Sequence, residues 1–288
     1  EKGAVDYWGS IRIQVGEYSE LVGFPLADAE TIEELNEYPW PVLEKRDNFD
    51  DRVKHAKELF ENTSYAVVAD APINGVFEIA CAMRGYEKIL MDMALKPDYV
   101  HALFKHINDI QIRAVEIYYG AVGKYIHIAQ TGDDFGMQNS EFFSVDMYRD
   151  LIKPYFKKYL DAIKSYTSAK ILHHTCGSVY NLIPELIDTG VDILNPIQPT
   201  AKYMEPSRLK AEFGDRLCFH GGVCMQDILP HGTPQQVKEH VKDRILGYGP
   251  RGGYIICPAH NLQGDTPPEN ILAMYEAIDE YGNYPLCN

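Results

Sequence analysis

The chain has 288 residues, of which 45% are hydrophobic and 24% are charged, and its formal net charge is −15 at pH 7. This composition is typical of a globular protein, and the length suits one large α/β domain. No apolar run reaches the ~18 residues needed to cross a bilayer, and no basic cluster favours nucleic-acid binding. We therefore expect a cytoplasmic protein that binds neither membranes nor nucleic acid. Its six scattered cysteines are expected to be reduced thiols.

The first 60 residues have no regular pattern, and the chain starts without a methionine. Prolines at positions 39 and 41 exclude a long helix there. We predict short strands and loops, followed by a helix over residues 49–61. Residues 1–60 are expected to form an irregular N-terminal segment packed on a barrel made by residues 61–288.

From residue 65 onward, short apolar runs alternate with longer helical segments, which indicates parallel βαβ units. The predicted strands are residues 65–69, 125–129, 169–172, 191–194, 217–220 and 254–257. Predicted helices include residues 144–166, with a break at Pro154. No Gly-rich dinucleotide-binding loop follows the first strand, so a (β/α)8 TIM barrel is favoured over a doubly wound sheet. Two of its strands would be unrecognised or lost by N-terminal truncation.

The most informative stretch is residues 171–178, with the sequence ILHHTCGS. Side chains alternate along an extended segment, so His174 and Cys176 are predicted to point to one side while His173 points to the other. An imidazole and a thiolate side by side form half of a zinc site, and a catalytic zinc takes three protein ligands and keeps one open position. The pair alone is a weak signal, because cysteine is often an inert core residue.

Polar residues also follow the other predicted strands, and TIM barrels bind ligands at the C-terminal ends of their strands. The candidates are Asp70, Asp133, Asp134, Asn195, Gln198, His220, Gly222, Cys257 and His260. For the third metal ligand, the strand-end rule favours His260, which lies past Pro258 in the predicted mouth. Cys257 continues an apolar run and is the alternate third ligand.

Several of these candidates have a purely structural alternative. Asp133 and Asp134 could cap the following turn, and Asn195 with Pro196 could form only a turn. Gly221 and Gly222 could reflect close packing, although glycine also lets a flat substrate approach the backbone.

The chain resembles the uroporphyrinogen decarboxylase superfamily over about residues 6–278. The resemblance is carried by HTCGS (174–178), GVDILNPIQP (190–199), FHGG (219–222) and HNLQGDTPPENI (260–271). It implies a (β/α)8 barrel with a deep cleft at the C-terminal ends of the strands. One branch decarboxylates tetrapyrroles without a metal. The other branch, the corrinoid-dependent methyltransferases, carries zinc through His-x-Cys and a later ligand.

His174 and Cys176 match the first two zinc positions of the methyltransferase branch. In the coenzyme M methyltransferases the third ligand is a cysteine that precedes Thr-Pro by six residues, and this chain has His260 there. The resemblance implies a zinc enzyme of anaerobic one-carbon metabolism. It would move a methyl group between a small methylated substrate and a corrinoid protein. No Asp-x-His-x-x-Gly stretch is present to bind cobalt, so the cobamide is expected on that partner protein.

The net charge of the zinc and its protein ligands helps to predict the class of substrate. One thiolate and two imidazoles leave a zinc site at net +1, which favours activation of an oxygen, or tight capture of a thiolate, over a highly nucleophilic bound sulfur. Of the two, we favour demethylation of a methoxylated or similar small compound. Asp133 or Asp134 is expected to be catalytic by orienting a ligand or the substrate. The predicted substrate-binding residues are Asp70, Asn195, Gln198, His220 and Gly222. Uroporphyrinogen decarboxylase activity, coenzyme M-type thiol methylation and a non-enzymatic binding barrel are the alternatives. A homodimer is compatible with all of them.

Overall fold

A computed structural model describes residues 3–16, 18–44 and 49–286 of the chain. It divides into two compact units: unit 1 comprises residues 1–133 and 143–171, and unit 2 comprises residues 134–142 and 172–288. No helix within the described ranges is both long and apolar enough to span a membrane. The five cysteines in these ranges form no disulfide, and Cys287 lies outside the described residues.

The elements follow one another in the order that the sequence predicts. The strands are β1 (Ala4–Val5), β2 (Ile11–Val15), β3 (Tyr18–Gly23), β4 (Val68–Ala69), β5 (Ile128–Gly132), β6 (Lys170–His174), β7 (Ile193–Ile197), β8 (Cys218–Val223) and β9 (Tyr254–Pro258). The helices are α1 (Ile32–Glu37), α2 (Asp50–Asn62), α3 (Val76–Arg84), α4 (Tyr86–Leu95), α5 (Pro97–Val122), α6 (Val145–Met147), α7 (Lys153–Tyr166), α8 (Ile183–Thr189), α9 (Pro206–Phe213), α10 (Ile228–His231), α11 (Pro234–Tyr248) and α12 (Pro268–Tyr281).

The N-terminal part of unit 1 is a small antiparallel sheet in the order β1-β2-β3. Helix α1 starts at a capping box, in which the Thr31 side chain and the Glu34 carboxylate satisfy each other's backbone N–H groups. It ends at Glu37, before the two prolines, and the helix predicted over residues 49–61 is α2. The short strands, the loops and this helix are therefore confirmed. The segment boundary at residue 60 stays a prediction.

The six remaining strands form a parallel sheet in the order β4-β5-β6-β7-β8-β9. The α/β class and all six predicted strands are thus confirmed. An eight-stranded barrel has two more strands than the described residues place in this sheet. Strands β6 to β8 extend further toward their C-terminal ends than predicted, so His174, Asn195 and Gly222 are strand residues. In the register of β6 and β7, His174 lies opposite Asn195.

The core of unit 2 packs helices α11 and α12 against the end of β8. Its buried members are Val223, Leu229, Val237, Val241, Ile245, Ala273, Met274 and Ala277. Burying apolar side chains at this density fixes the position of β8 and of the loops that follow it. This packing therefore gives a rigid support to the strand ends.

The helix predicted over residues 144–166 is interrupted, as expected. Ser144 caps α6 by accepting a hydrogen bond from the Met147 N–H, and a π-helical turn over residues 148–152 follows before α7 starts. Pro154 lies in the first turn of α7, where its missing N–H costs no hydrogen bond. The proline thus marks a restart of the helix.

Asp133 is a buried cap for helix α3. Its carboxylate accepts hydrogen bonds from the N–H groups of Phe77 (3.1 Å) and Glu78 (2.8 Å), while the N-cap residue Gly75 offers no side-chain cap. A Cβ on Gly75 would overlap this carboxylate, so glycine leaves the space that Asp133 fills. Asp133 therefore caps helix α3, which precedes it in the chain, rather than the turn that follows it. Its predicted catalytic role stays a prediction.

We expect Asp133→Asn to lower the free energy of unfolding by about 1–2 kcal/mol, because the amide presents only one acceptor and no charge to the first turn of α3. Denaturant unfolding measures this change. Asp98→Asn is the matched control, since Asp98 is exposed in the first turn of α5. Unchanged stability of Asp133→Asn together with lost activity would instead restore the catalytic interpretation.

Candidate metal centre

Three side chains of unit 2 converge at the ends of β6 and β9. His174 and Cys176 come from the end of β6 and His260 from the loop after β9, and their donor atoms all lie within 4.8 Å of one another. Cys176 Sγ is 3.4 Å from His174 Nε2. The rings of His174 and His260 are nearly perpendicular, with centroids 5.7 Å apart. Two imidazoles and one thiol thus share a single small volume, with His260 on its exposed side.

The orientation of His174 is set by Asn195 on the neighbouring strand. His174 Nδ1 lies 2.6 Å from Asn195 Oδ1, and the amide oxygen accepts the Nδ1 proton. The unprotonated Nε2 then faces Cys176 with its lone pair. A hydrogen bond on one ring nitrogen is the usual way in which proteins fix the tautomer of a metal-binding histidine.

Asn195 also binds a second histidine on its other side. Its NH2 group donates to His220 Nδ1 at 2.6 Å, and that ring lies 3.3 Å from Cys257 Sγ. Burial, with a smaller contribution from His174, lowers the pKa of His220 and favours the neutral ring. Asn195 and His220 were predicted to bind substrate. In the structure they form a row of contacts that runs from His174 through Asn195 and His220 to Cys257.

Cys257, the alternate third ligand, is not part of the converging group of the described residues. Its sulfur contacts His220, and burial raises the pKa of its thiol to about 12. The structure thus brings His260 and not Cys257 to His174 and Cys176.

The turn that carries Cys176 is held by two side chains. The Cys176 N–H donates to Asp134 Oδ1 at 2.8 Å, and the Gly177 N–H donates to Gln198 Oε1 at 3.0 Å. Asp134 Oδ1 also lies 3.9 Å from His174 Nε2. Asp134 is therefore a half-buried carboxylate beside the group. Gln198 was predicted to bind substrate, and in the structure its side-chain oxygen supports this turn.

Gly177 is required at this turn. Its φ is +81°, and a Cβ there would lie 2.6 Å from the backbone of Gly136. The two backbones thus pack directly on each other, which only glycine allows. The close approach fixes the position of the Cys176 turn.

Three further residues are placed away from the group or have packing roles. Asp70 is exposed in unit 1, and its carboxylate accepts a hydrogen bond from the Ala71 N–H. A Cβ on Gly222 would lie 2.7 Å from the Tyr254 hydroxyl, which supports the close-packing alternative. His173 is fully buried beside Phe135, and burial lowers its pKa to about 3.

Residues 17–281 match the family model of uroporphyrinogen decarboxylase (URO-D). The chain belongs to the uroporphyrinogen decarboxylase family. The fold is similar to that of a methyltransferase from Methanosarcina mazei, with a TM-score of 0.68, 19% identity, and coverage of 97% of this chain and 77% of the other.

The curated relatives of this family member come from both branches. A methylated-thiol–coenzyme M methyltransferase of Methanosarcina mazei is 25% identical over 71% of this chain and 51% of its own length. A uroporphyrinogen decarboxylase of Chlorobium phaeobacteroides is 24% identical over 65% and 51%. The methylcobamide:CoM methyltransferase MtaA of Methanosarcina barkeri is 25% identical over 62% and 49%. The chain spans about half the length of the curated relatives it matches.

The donors of this family member fit a zinc ion. Thiolate sulfur and imidazole nitrogen are the ligands that zinc prefers, and three of them leave the fourth position open. Of the nitrogens, His174 Nε2 is freed for a metal by the hydrogen bond on Nδ1. Among the described residues, the group therefore offers three donors that suit zinc.

Sequence reasoning missed residues that lie beyond the strand ends. A cavity of about 180 Å³ lies beside His260, and Thr200, Met225 and Gln226 are among its lining residues. Met225 and Gln226 follow the end of β8 by two and three residues. Extending the strand-end rule a few residues into each loop would have found them.

We expect Asn195→Leu to weaken zinc binding about 10–100-fold, because His174 loses the acceptor that fixes its tautomer. Asn195→Asp keeps that acceptor and is expected to bind zinc nearly as tightly as the parent. Zinc titration against a competing chelator measures both, and ¹⁵N NMR of the His174 ring reports its tautomer in the metal-free protein.

Asn181→Leu is the control for this pair, because it removes an exposed asparagine whose side chain donates a hydrogen bond to Glu141. Parent-like zinc affinity and an unchanged His174 tautomer in Asn195→Leu would show that Asn195 does not orient the ligand.

Proposed function

We propose that this protein is a zinc-dependent, cytoplasmic methyltransferase. It moves a methyl group between a small methylated substrate, favoured to be a methoxylated compound, and a corrinoid protein. The observation that carries the proposal is the convergence of His174, Cys176 and His260 at one end of the parallel strands. Metal-free decarboxylation has no use for such a donor set.

The proposed metal ligands are His174 Nε2, Cys176 Sγ and a ring nitrogen of His260. When bound, zinc supplies a Lewis acid that polarises the heteroatom carrying the methyl group. Asn195 holds the His174 ring in the required tautomer. Asp133 and Asp134 are the proposed catalytic carboxylates, and Asp134 positions the Cys176 backbone beside His174.

The proposed partner is a separate corrinoid protein that carries the cobamide. The cobamide supplies the cobalt atom that accepts or donates the methyl group. Support comes from two relatives, a methylcobamide:CoM methyltransferase and a methylated-thiol–coenzyme M methyltransferase. The chain itself would hold the substrate and expose its methyl-bearing end to that partner.

Two alternatives have support among the relatives. Uroporphyrinogen decarboxylases match a similar share of the chain, and they predict activity without a metal and a basic cleft for several carboxylates. Coenzyme M-type thiol methylation is supported by two relatives that are named as coenzyme M methyltransferases. Against it, His260 replaces the cysteine of that branch and leaves the zinc site with one thiolate fewer.

We expect the purified protein to bind about one zinc per chain, and His174→Ala, Cys176→Ala and His260→Ala each to lose it, because two remaining donors hold zinc weakly. Metal analysis after dialysis measures this. Cys257→Ala is the control and is expected to keep its zinc. Retention of zinc by His260→Ala and loss by Cys257→Ala would reverse the choice of third ligand.

We expect the zinc-loaded protein to transfer methyl groups between a reduced corrinoid protein and a methoxylated compound, followed by the change in corrinoid absorbance. Methylamines and methylated thiols in the same screen test the substrate class. The variants that lose zinc should be inactive. Conversion of uroporphyrinogen by metal-free protein would instead establish the decarboxylase alternative.

A further inference from the structure

The loop that carries His260 is joined to the end of β8 by the residue before that histidine. The Ala259 N–H donates a hydrogen bond to the Val223 carbonyl at 2.9 Å. Ala259 and Val223 are buried, whereas His260 is exposed. The position from which the His260 side chain starts therefore depends on where the end of β8 lies.

The end of β8 is held in turn by a histidine of helix α11. His240 Nε2 lies 3.1 Å from the Cys224 nitrogen and 3.3 Å from the Gly222 oxygen. These two backbone groups flank Val223, whose carbonyl accepts the hydrogen bond from Ala259. One ring nitrogen thus contacts the residue on either side of Val223.

The Nε2 atom of His240 can satisfy only one of these backbone groups at a time. Without a proton it accepts the hydrogen bond of the Cys224 N–H, and with a proton it donates to the Gly222 carbonyl. A buried N–H without an acceptor is rarer in proteins than an under-satisfied carbonyl, so the accepting form is favoured. Burial, followed by the charge of Arg244, lowers the pKa of His240, with smaller opposing contributions from Gly222 and Asp243. The ring is therefore kept in the neutral state that this form needs.

Helix α11 is a rigid support for this contact. Its residues Val237, Val241 and Ile245 belong with Val223 to the buried core of unit 2. Packing of this density keeps the helix and the strand end in place. A side chain without an acceptor at position 240 would therefore leave a buried backbone N–H unpaired, which costs free energy.

We propose that His240 is a positioning residue for the metal centre, which holds the end of β8 so that the Ala259 backbone presents His260 to the metal. The inference rests on the proposed function and adds a residue outside the three proposed ligands. The path runs from His240 through the backbone of residues 222–224 and the Ala259 N–H to His260, and all of it belongs to unit 2.

Two substitutions of His240 in the full-length protein test this role. His240→Leu removes the acceptor, and we expect zinc affinity to fall about tenfold, at the lower end of the effect of residues that orient a metal ligand directly. His240→Gln keeps an oxygen that can accept from the Cys224 N–H and an NH2 group that can donate to the Gly222 carbonyl. We therefore expect it to restore parent-like affinity. Zinc titration against a competing chelator measures both.

Amide hydrogen exchange of the metal-free protein, followed by NMR, tests the path without the metal. In His240→Leu we expect the Cys224 and Ala259 amides to exchange at least about tenfold faster, because local opening of the loop becomes easier. The Ile245 amide in helix α11 should keep its protection. His240→Gln should exchange like the parent at all three amides.

His231→Leu makes the same substitution at an exposed histidine at the end of α10. It is the control, and it is expected to change neither zinc affinity nor amide exchange. Parent-like zinc affinity in His240→Leu, no rescue by His240→Gln, or exchange that accelerates equally at Ile245 would overturn the inference.

The positioning role and the proposed function fail separately. If the parent binds zinc and transfers methyl groups and His240→Leu does both equally well, the positioning role is wrong and the proposed function stands. If the Cys224 and Ala259 amides lose protection in His240→Leu but the parent neither binds zinc nor transfers methyl groups, the proposed function is wrong and the path from His240 to the His260 loop stands.

Discussion

The hydrogen bond from His174 Nδ1 to Asn195 Oδ1 is the interaction on which the candidate site depends. At 2.6 Å it fixes both the plane of the imidazole and the nitrogen that keeps a lone pair. Without it the ring could present an N–H toward Cys176, and a metal would find no donor there. The bond exists because the parallel register of β6 and β7 places the two residues side by side.

The Asn195 side chain also contacts a second histidine, His220. Asn195 offers its oxygen to one histidine and its NH2 group to another, so its orientation and the tautomers of the two histidines depend on one another. His220 in turn lies against the protonated thiol of Cys257. These half-buried polar groups restrain one another, because breaking one hydrogen bond leaves its partner group unpaired. These contacts therefore fix the His174 ring on the side of its Nδ1 atom.

Adjacent aspartates show how one residue step changes a role. Asp133 belongs to unit 1 and caps helix α3, where glycine at position 75 leaves room for its carboxylate. Asp134 belongs to unit 2 and holds the turn of Cys176. Successive side chains of an extended backbone point to opposite sides, so two identical residues in sequence serve two different parts of the fold.

The sequence by itself determined the α/β class, the order of the six parallel strands, and the placement of His174 and Cys176 together at the end of a strand. These are local properties, because hydrophobic period and side-chain alternation depend on near neighbours. Only the tertiary structure decided that His260 joins this pair while Cys257 contacts His220. It also decided that Asn195, which was predicted to bind substrate, forms a hydrogen bond with His174. Those outcomes depend on strand register and loop direction, which join residues 21 to 86 positions apart, and no local pattern records them.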